Sequence, residues 1–253
     1  MYKQTEYNVN YIDSKFSFNA EIKDILKKID NKFIVYMPCW IVFSKQKTKK
    51  NYFHSKGNDI AFDSLIKFLN KYPDTRIILR GNGDDFIKSK EILSSISSKV
   101  YYINTLDKKT LINLMNLSDV ILDQFFLGCL GGTAIEAASI GKPLLSYFPD
   151  IDFYKDDPYP FLQSTNSEEL FTNLEKLYLN KEFRVQYSND CKDWIIRNYS
   201  SNEVKKLGLI FNDIINNKKT TLPKNNGNFY DIIYWLYFFY IKMKFSKVLC
   251  IYI

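Results

Sequence analysis

Asp123, Gly128, Gly131, Gly132, Thr133 and Glu136 follow one another closely within DVILDQFFLGCLGGTAIEAASIGKPLLSYFP, the stretch from Asp119 to Pro149. Glycines crowded ahead of a helix leave backbone N–H groups with no side chains over them, and those groups, aided by the helix dipole, can hold an anion. The apolar run Val120 to Leu122 reads as a strand ending at Asp123, the glycines as a loop, and Thr133 to Gly141 as a helix stopped ahead of Pro143. The chemistry implied is phosphate binding by main chain. Thr133-Ala134-Ile135-Glu136 also spells a capping box, in which the hydroxyl and the carboxylate satisfy the first amides of the helix.

The elements that must position these residues follow from hydrophobic period. Phe33 to Met37 is a continuous apolar run of strand length, and Asn58 to Tyr72 has helical spacing through Ile60, Phe62, Leu65, Ile66 and Leu69. Asn58 is the expected cap of that helix. Arg76 to Leu79 predicts a second strand turning at Gly81-Asn82-Gly83, then come a helix over Phe86 to Ile96, a strand over Val100 to Ile103, a helix over Lys108 to Leu117 and a strand over Leu144 to Tyr147. Strands alternating with helices predict an α/β fold, a Rossmann-like parallel sheet with flanking helices. In such a sheet ligands lie at the carboxyl ends of the strands. Beyond an aromatic, proline-punctuated segment from Phe148 to Phe161, helices are expected over Ser167 to Leu179, Lys181 to Asn198 and Asn202 to Ile215.

At 253 residues the chain can bury a sizeable core, and its formal charge is +7. That charge does not point to nucleic acid. Of the 35 basic residues only Arg76, Arg80, Arg184 and Arg197 are arginine, and no docking element is visible. Cys39, Cys129, Cys191 and Cys250 stand far apart, with no CxxC pair, and read as reduced thiols of a cytosolic protein. No HxxxH, CxxC or DxD constellation is present, so neither a metal nor another cofactor is expected. Met1 to Asn10 is polar and reads as no secretory leader.

Phe229 to Ile253 is the oddest segment in composition: Ile232 to Ile241 is unbroken aromatic and aliphatic, and Lys242, Lys244 and Lys247 follow. A run this short cannot span a bilayer as a helix, which needs about twenty residues. An interfacial helix held by anionic lipid and a tail helix packed on protein both fit it. The expected location is therefore cytoplasmic, with peripheral contact at the inner membrane face left open.

Four stretches carry a family resemblance: KGNDIAFDSLIKFL from Lys56, IILRGNGDD from Ile77, the glycine-loop unit with its GGTAIEAASIGKPLL core, and NSEELFTNLEKLYLNKEFRVQYSNDCKDWIIRNYSSNEVKKL from Asn166. In this order and spacing the chain resembles the carboxyl-terminal, nucleotide-sugar-binding half of a GT-B glycosyltransferase of family 4, the group 1 glycosyl transferases. The resemblance implies that residues 31–216 form the donor domain, with 1–30 a linker or remnant of a preceding domain; composition sets off 217–228 as a connector and 229–253 as the aromatic and basic tail. The resemblance implies a nucleotide diphosphate sugar as donor, most plausibly uridine-linked, transferred with retention to a glycan or lipid-linked acceptor. The acceptor half would come from a separate chain, or the protein would be a non-catalytic nucleotide-sugar-binding subunit. An epimerase on the same fold is the third reading, weakened by the lack of an evident acid and base pair.

The resemblance also assigns roles. Lys56, followed by Gly57 at a helix start, matches the lysine that contacts the donor diphosphate; a solvated lysine beside Lys45, Lys47, Lys49 and Lys50 is the plain alternative. Asn51 stands where the family commonly has a second phosphate-binding arginine. Glu136 matches a glutamate that bonds the ribose hydroxyls, a role compatible with a loose capping box. Counting back eight positions from Glu136 reaches Gly128, where the family commonly has a glutamate facing the sugar. Asp123 or Asp84 would then supply a nearby carboxylate, or cap a turn. Gly81 and Gly83 resemble the turn that passes close to the nucleotide, while His54 reads as a phosphate contact or an idle loop histidine. No catalytic residue is assigned.

Overall fold

In the computed structural model, residues 12–44, 55–104, 106–126, 128, 130–148 and 157–199 are described. The expected helix over 202–215, the connector, the tail, Asn51, His54, Cys129, Cys250 and the lysines at 45, 47, 49 and 50 lie outside them. Residues 1–149 and 160–205 cluster as one unit, and residues 150–159 and 206–253 as a second, of which only 157–159 are described.

The first unit runs α1 (Ala20–Lys28), β1 (Phe33–Met37), α2 (Asn58–Lys71), β2 (Thr75–Arg80), α3 (Phe86–Ile92), a 3-10 turn (Ser94–Lys99), β3 (Val100–Ile103), α4 (Lys108–Leu117), β4 (Val120–Leu122), α5 (Gly132–Ser139), β5 (Leu144–Leu145), α6 (Ser167–Leu179) and α7 (Lys181–Tyr199). The five strands are all parallel in the order β3-β2-β1-β4-β5. Val35 is the hinge of the register, opposite Ile77 on one side and Val120 on the other. Helices cover both faces, so Val35, Ile77, Ile78, Leu79, Val120, Ile121 and Leu122 are fully buried, and the strands read as continuous apolar runs without alternation.

The order reverses between β1 and β4. The chain leaves β1 towards β2 on one side, while β4 lies on the other. Open α/β sheets place their ligand crevice at the carboxyl ends of the strands flanking such a reversal, here β1 and β4.

Local chemistry explains where the helices start. Asn19 caps α1 by accepting from the Ile22 amide at 2.9 Å, and Asp107 caps α4 by accepting from Thr110 at 3.0 Å. Asn166 caps α6 through the amides of Glu168 and Glu169, and Glu169 returns a bond to the Thr165 amide at 2.7 Å. The helix expected over Phe86 to Ile96 instead ends at Ile92 and passes into the 3-10 turn, with Ile96 non-helical. Four serines in SSISSK compete for the backbone with their own hydroxyls, which breaks the α-helix there.

Aromatic packing secures the amino-terminal end of the sheet. Phe33 and Phe68 surround Tyr178 edge-on at 4.9 and 5.6 Å, and Tyr72 joins it at 4.4 Å. On the other side of β1, α7 closes over α5, burying Tyr187, Cys191, Trp194 and Ile195. The Tyr187 hydroxyl donates to the Leu144 carbonyl and accepts from the Leu162 amide at 3.2 Å, tying β5 to the segment that leads into α6. Phe148 stacks on Phe161 at 4.7 Å, and Phe161 meets Trp194 edge-on at 5.4 Å.

Candidate functional site

The carboxyl rim at the β1/β4 crevice is built from two helix starts and the strand end between them. Gly57, with φ +69, is the N-cap of α2, and Gly131 is the N-cap of α5. Neither cap carries a side-chain hydrogen bond, and among the described residues the amides of Asn58, Asp59, Gly132 and Thr133 make no bond, so both helices open with bare amides. Two expectations are corrected here. Asn58 is the first residue of α2 rather than its cap: it is fully buried, and its Oδ1 accepts from the Val42 amide at 2.7 Å, pinning the loop after β1. Thr133 does not cap α5 either, because the helix already starts at Gly132 and the Ile135 amide bonds the Gly131 carbonyl at 3.1 Å. Glu136 reaches Lys108 instead of the helix start, so the capping box is not formed.

Backbone contacts lock these pieces together. The Phe125 amide bonds the Lys56 carbonyl at 2.7 Å, and a Cβ on Gly57 would stand 2.9 Å from the Phe125 carbonyl carbon. Only glycine fits there on both counts, left-handed φ and contact distance. Asp123 is held by its own backbone, whose amide bonds Leu145 at 3.1 Å and whose carbonyl accepts from the Cys39 thiol at 3.1 Å. Its side chain sits under the glycine loop: Oδ2 would be 2.8 Å from a Cβ on Gly131. That oxygen is buried and, among the described residues, has no hydrogen-bond partner, with the loop directly over it.

The electrostatics follow from this geometry. Burial pushes the Asp123 carboxyl up to about 6; the nearby Lys56 ammonium opposes the rise, and Glu136 adds to it. Burial also pushes the Cys39 thiol up to about 12, with Asp123 reinforcing the effect, so this thiol is no nucleophile at neutral pH. Cys39 and Cys191 are both free and buried. Glu136 is nearly buried and forms an ion pair with Lys108, the first residue of α4. Lys56, Asp123, Glu136 and Lys108 thus make one cluster of alternating charge across the mouths of α2, α5 and α4.

The other expected site residues divide. Gly128 has φ +60, a left-handed position where a glutamate would be strained. Gly81 and Gly83 lie one strand over, at the end of β2. The Gly81 amide bonds Ile103, and a Cβ on Gly83 would fall inside the Ile41 backbone, so this turn locks the β2 and β1 loops together. Asp84 is exposed and Asp85 is buried; Asp85 Oδ2 accepts from the Phe43 amide at 2.9 Å in the same brace. Lys108 was not legible as a site residue; its only signal is a lysine placed directly after a helix cap, against the dipole. Among the described residues, no cluster of histidine, cysteine and carboxylate side chains could hold a metal ion. No helix among them is long and apolar enough to cross a membrane.

Solved structures share this architecture. The chain is similar to the carboxyl-terminal domain of the glycosyl transferase group 1 family protein LpcC from Francisella tularensis, at 16% identity and a TM-score of 0.54, over 77% of this chain and 98% of that one. It is similar to HepE (Alr3699) from Anabaena in complex with UDP-glucose, at 14% identity and a TM-score of 0.60, over 82% of this chain and 56% of that one. A UDP-N-acetylglucosamine 2-epimerase also matches, at 14% identity and a TM-score of 0.55, over 88% of this chain and 53% of that one. The chain spans about half the length of the latter two proteins. No family model matches the sequence, and no curated protein matches it. At such identities the likeness establishes the fold, the Rossmann-like half that recurs in GT-B glycosyltransferases and in epimerases of the same architecture.

Proposed function

We propose that this chain is the donor-binding domain of a glycosyltransferase, taking a UDP-linked sugar at the carboxyl ends of β1 and β4. The observation that carries the proposal is the pair of uncapped helix mouths at Gly57 and Gly131, with Lys56 beside the first. Bare amides and an ammonium suit a diphosphate, which is both the handle of the donor and the leaving group. Lys56 balances its charge, the loop at Gly128, Gly131 and Gly132 contacts it through main chain, and Glu136 accepts from the ribose hydroxyls. Transfer with retention to a glycan or lipid-linked acceptor, the acceptor half being supplied by another chain, extends the proposal by analogy with enzymes of this fold. The tail at 229–253 is the element that would bring the protein to a membrane surface.

Calorimetric titration with a panel of uridine, guanosine and adenosine diphosphate sugars tests the proposal. Lys56→Ala and Glu136→Ala are each expected to weaken binding of the preferred donor by about 1–3 kcal/mol, the scale of a hydrogen bond to a charged group. Undiminished binding in both variants would assign Lys56 to the surface and Glu136 to its ion pair alone.

A second reading, a nucleotide-sugar-binding subunit without turnover, is favoured by one feature. Gly128 occupies the position of the resembled family's sugar-facing glutamate, in a backbone conformation that disfavours that residue. Slow hydrolysis of the bound donor, followed as UDP release, separates the two. An enzyme releases UDP faster than the donor decays in buffer, and a binding subunit does not.

A further inference from the structure

Lys108, the ion-pair partner of Glu136, stands in α4 against that helix's own preference. Lys108 is the first residue of that helix, after the Asp107 cap, and an ammonium in a first turn opposes the helix dipole. Its position is accounted for by Glu136, whose side chain is 5% exposed against 36% for Lys108. This buried carboxylate is paired with a single ammonium, which holds it in one direction. Lys108 takes Oε1, and among the described residues no bond is made to Oε2. This leaves Oε2 as an unbonded acceptor among the described residues, on the second turn of α5, one turn behind Gly132.

Resting on the reading of Glu136 as the ribose contact, we propose that Lys108 is a positioning residue: by engaging Oε1 it directs Oε2 at the ribose diol, and so makes this chain discriminate ribonucleotides from 2′-deoxyribonucleotides. The charges fit the task. With Glu136 neutralised by Lys108, the carboxylate can approach a hydroxyl without adding net repulsion to a diphosphate bound nearby. The readout is a ratio of affinities, which a residue acting only on stability would leave unchanged.

The test uses the full chain, with UDP and 2′-deoxy-UDP as probes and calorimetry as the measurement. Wild type should prefer UDP by about tenfold or more, the scale of one hydrogen bond to a charged acceptor. Lys108→Met should bring that ratio near one, with UDP affinity falling to that of 2′-deoxy-UDP. Lys108→Gln keeps an amide donor against Oε1 and so spares the fold; its ratio should fall by at least about threefold. A full preference retained in folded Lys108→Gln or Lys108→Met, with both affinities lowered together, would overturn the positioning role while leaving Glu136 as the ribose contact. A wild-type ratio of one, with UDP bound, would overturn both.

Discussion

Replacing Asp123 by asparagine should stabilise the protein at neutral pH relative to acid pH, which is unusual for a substitution in the interior. Burial raises this carboxyl from its ordinary 3.8 to about 6, and Glu136 adds to the rise although Lys56 opposes it. A group whose proton is held more tightly in the folded state favours folding below the unfolded value, and that advantage is lost as pH climbs through the folded value. Between pH 4 and pH 7.5 wild type therefore loses roughly 2 kcal/mol at this one site, most of the about 3 kcal/mol equivalent to a rise from 3.8 to about 6. Asparagine cannot ionise and loses nothing. Urea denaturation of both proteins at the two pH values reads the difference directly. Taking wild type minus variant at each pH cancels the other titrations and whatever the amide itself costs. A pH-independent difference would mean that Asp123 ionises as easily in the fold as in the unfolded chain. The carboxylate would then not be the strained, unpartnered group beneath the glycine loop. A site that sacrifices stability in this way is the pattern expected where function, rather than packing, has set the residue.

Three further outcomes follow from the same geometry. An anionic donor beside Asp123 raises its proton affinity further, so UDP binding at pH 7 should take up a fraction of a proton; calorimetry in buffers of different ionisation enthalpy measures it, and the uptake should vanish in Asp123→Asn. Gly57→Ala should destabilise the fold by about 2 kcal/mol or more, because it adds a left-handed alanine to a contact 2.9 Å from the Phe125 backbone; an unchanged urea midpoint would refute that packing. Tyr187→Phe should cost about 1–2 kcal/mol by leaving the Leu162 amide and Leu144 carbonyl without their hydroxyl, and a loss-free variant would show that water replaces it.

The strands were legible because burial on both faces leaves nothing but apolar residues: Phe33–Met37, Val100–Ile103 and Val120–Leu122 are found where their composition places them. So were α4 and α6, whose caps Asp107 and Asn166 act through their own side chains. The misplaced caps share one cause, competition from residues distant in sequence. Asn58 has the right chemistry for a cap, but the backbone of Val42 claims its side chain, and the left-handed Gly57 takes its place. Thr133 and Glu136 have the spacing of a capping box, but Lys108 holds the carboxylate from another helix. The turn at Gly81 and Gly83 reads locally as positive φ; the reason no side chain fits at Gly83 is the Ile41 backbone, which periodicity cannot show. The crevice itself was inferred only as a sheet edge, and the strand order is what fixes it between β1 and β4.

The central claim is that main-chain amides at two helix mouths grip the diphosphate of a nucleotide sugar. Backbone amide shifts recorded during titration with UDP test it most directly. The account predicts the largest perturbations at Asn58, Asp59, Gly131 and Gly132, with the amino-terminal ends of the strands unmoved. Saturable binding that leaves those four amides unshifted would contradict it.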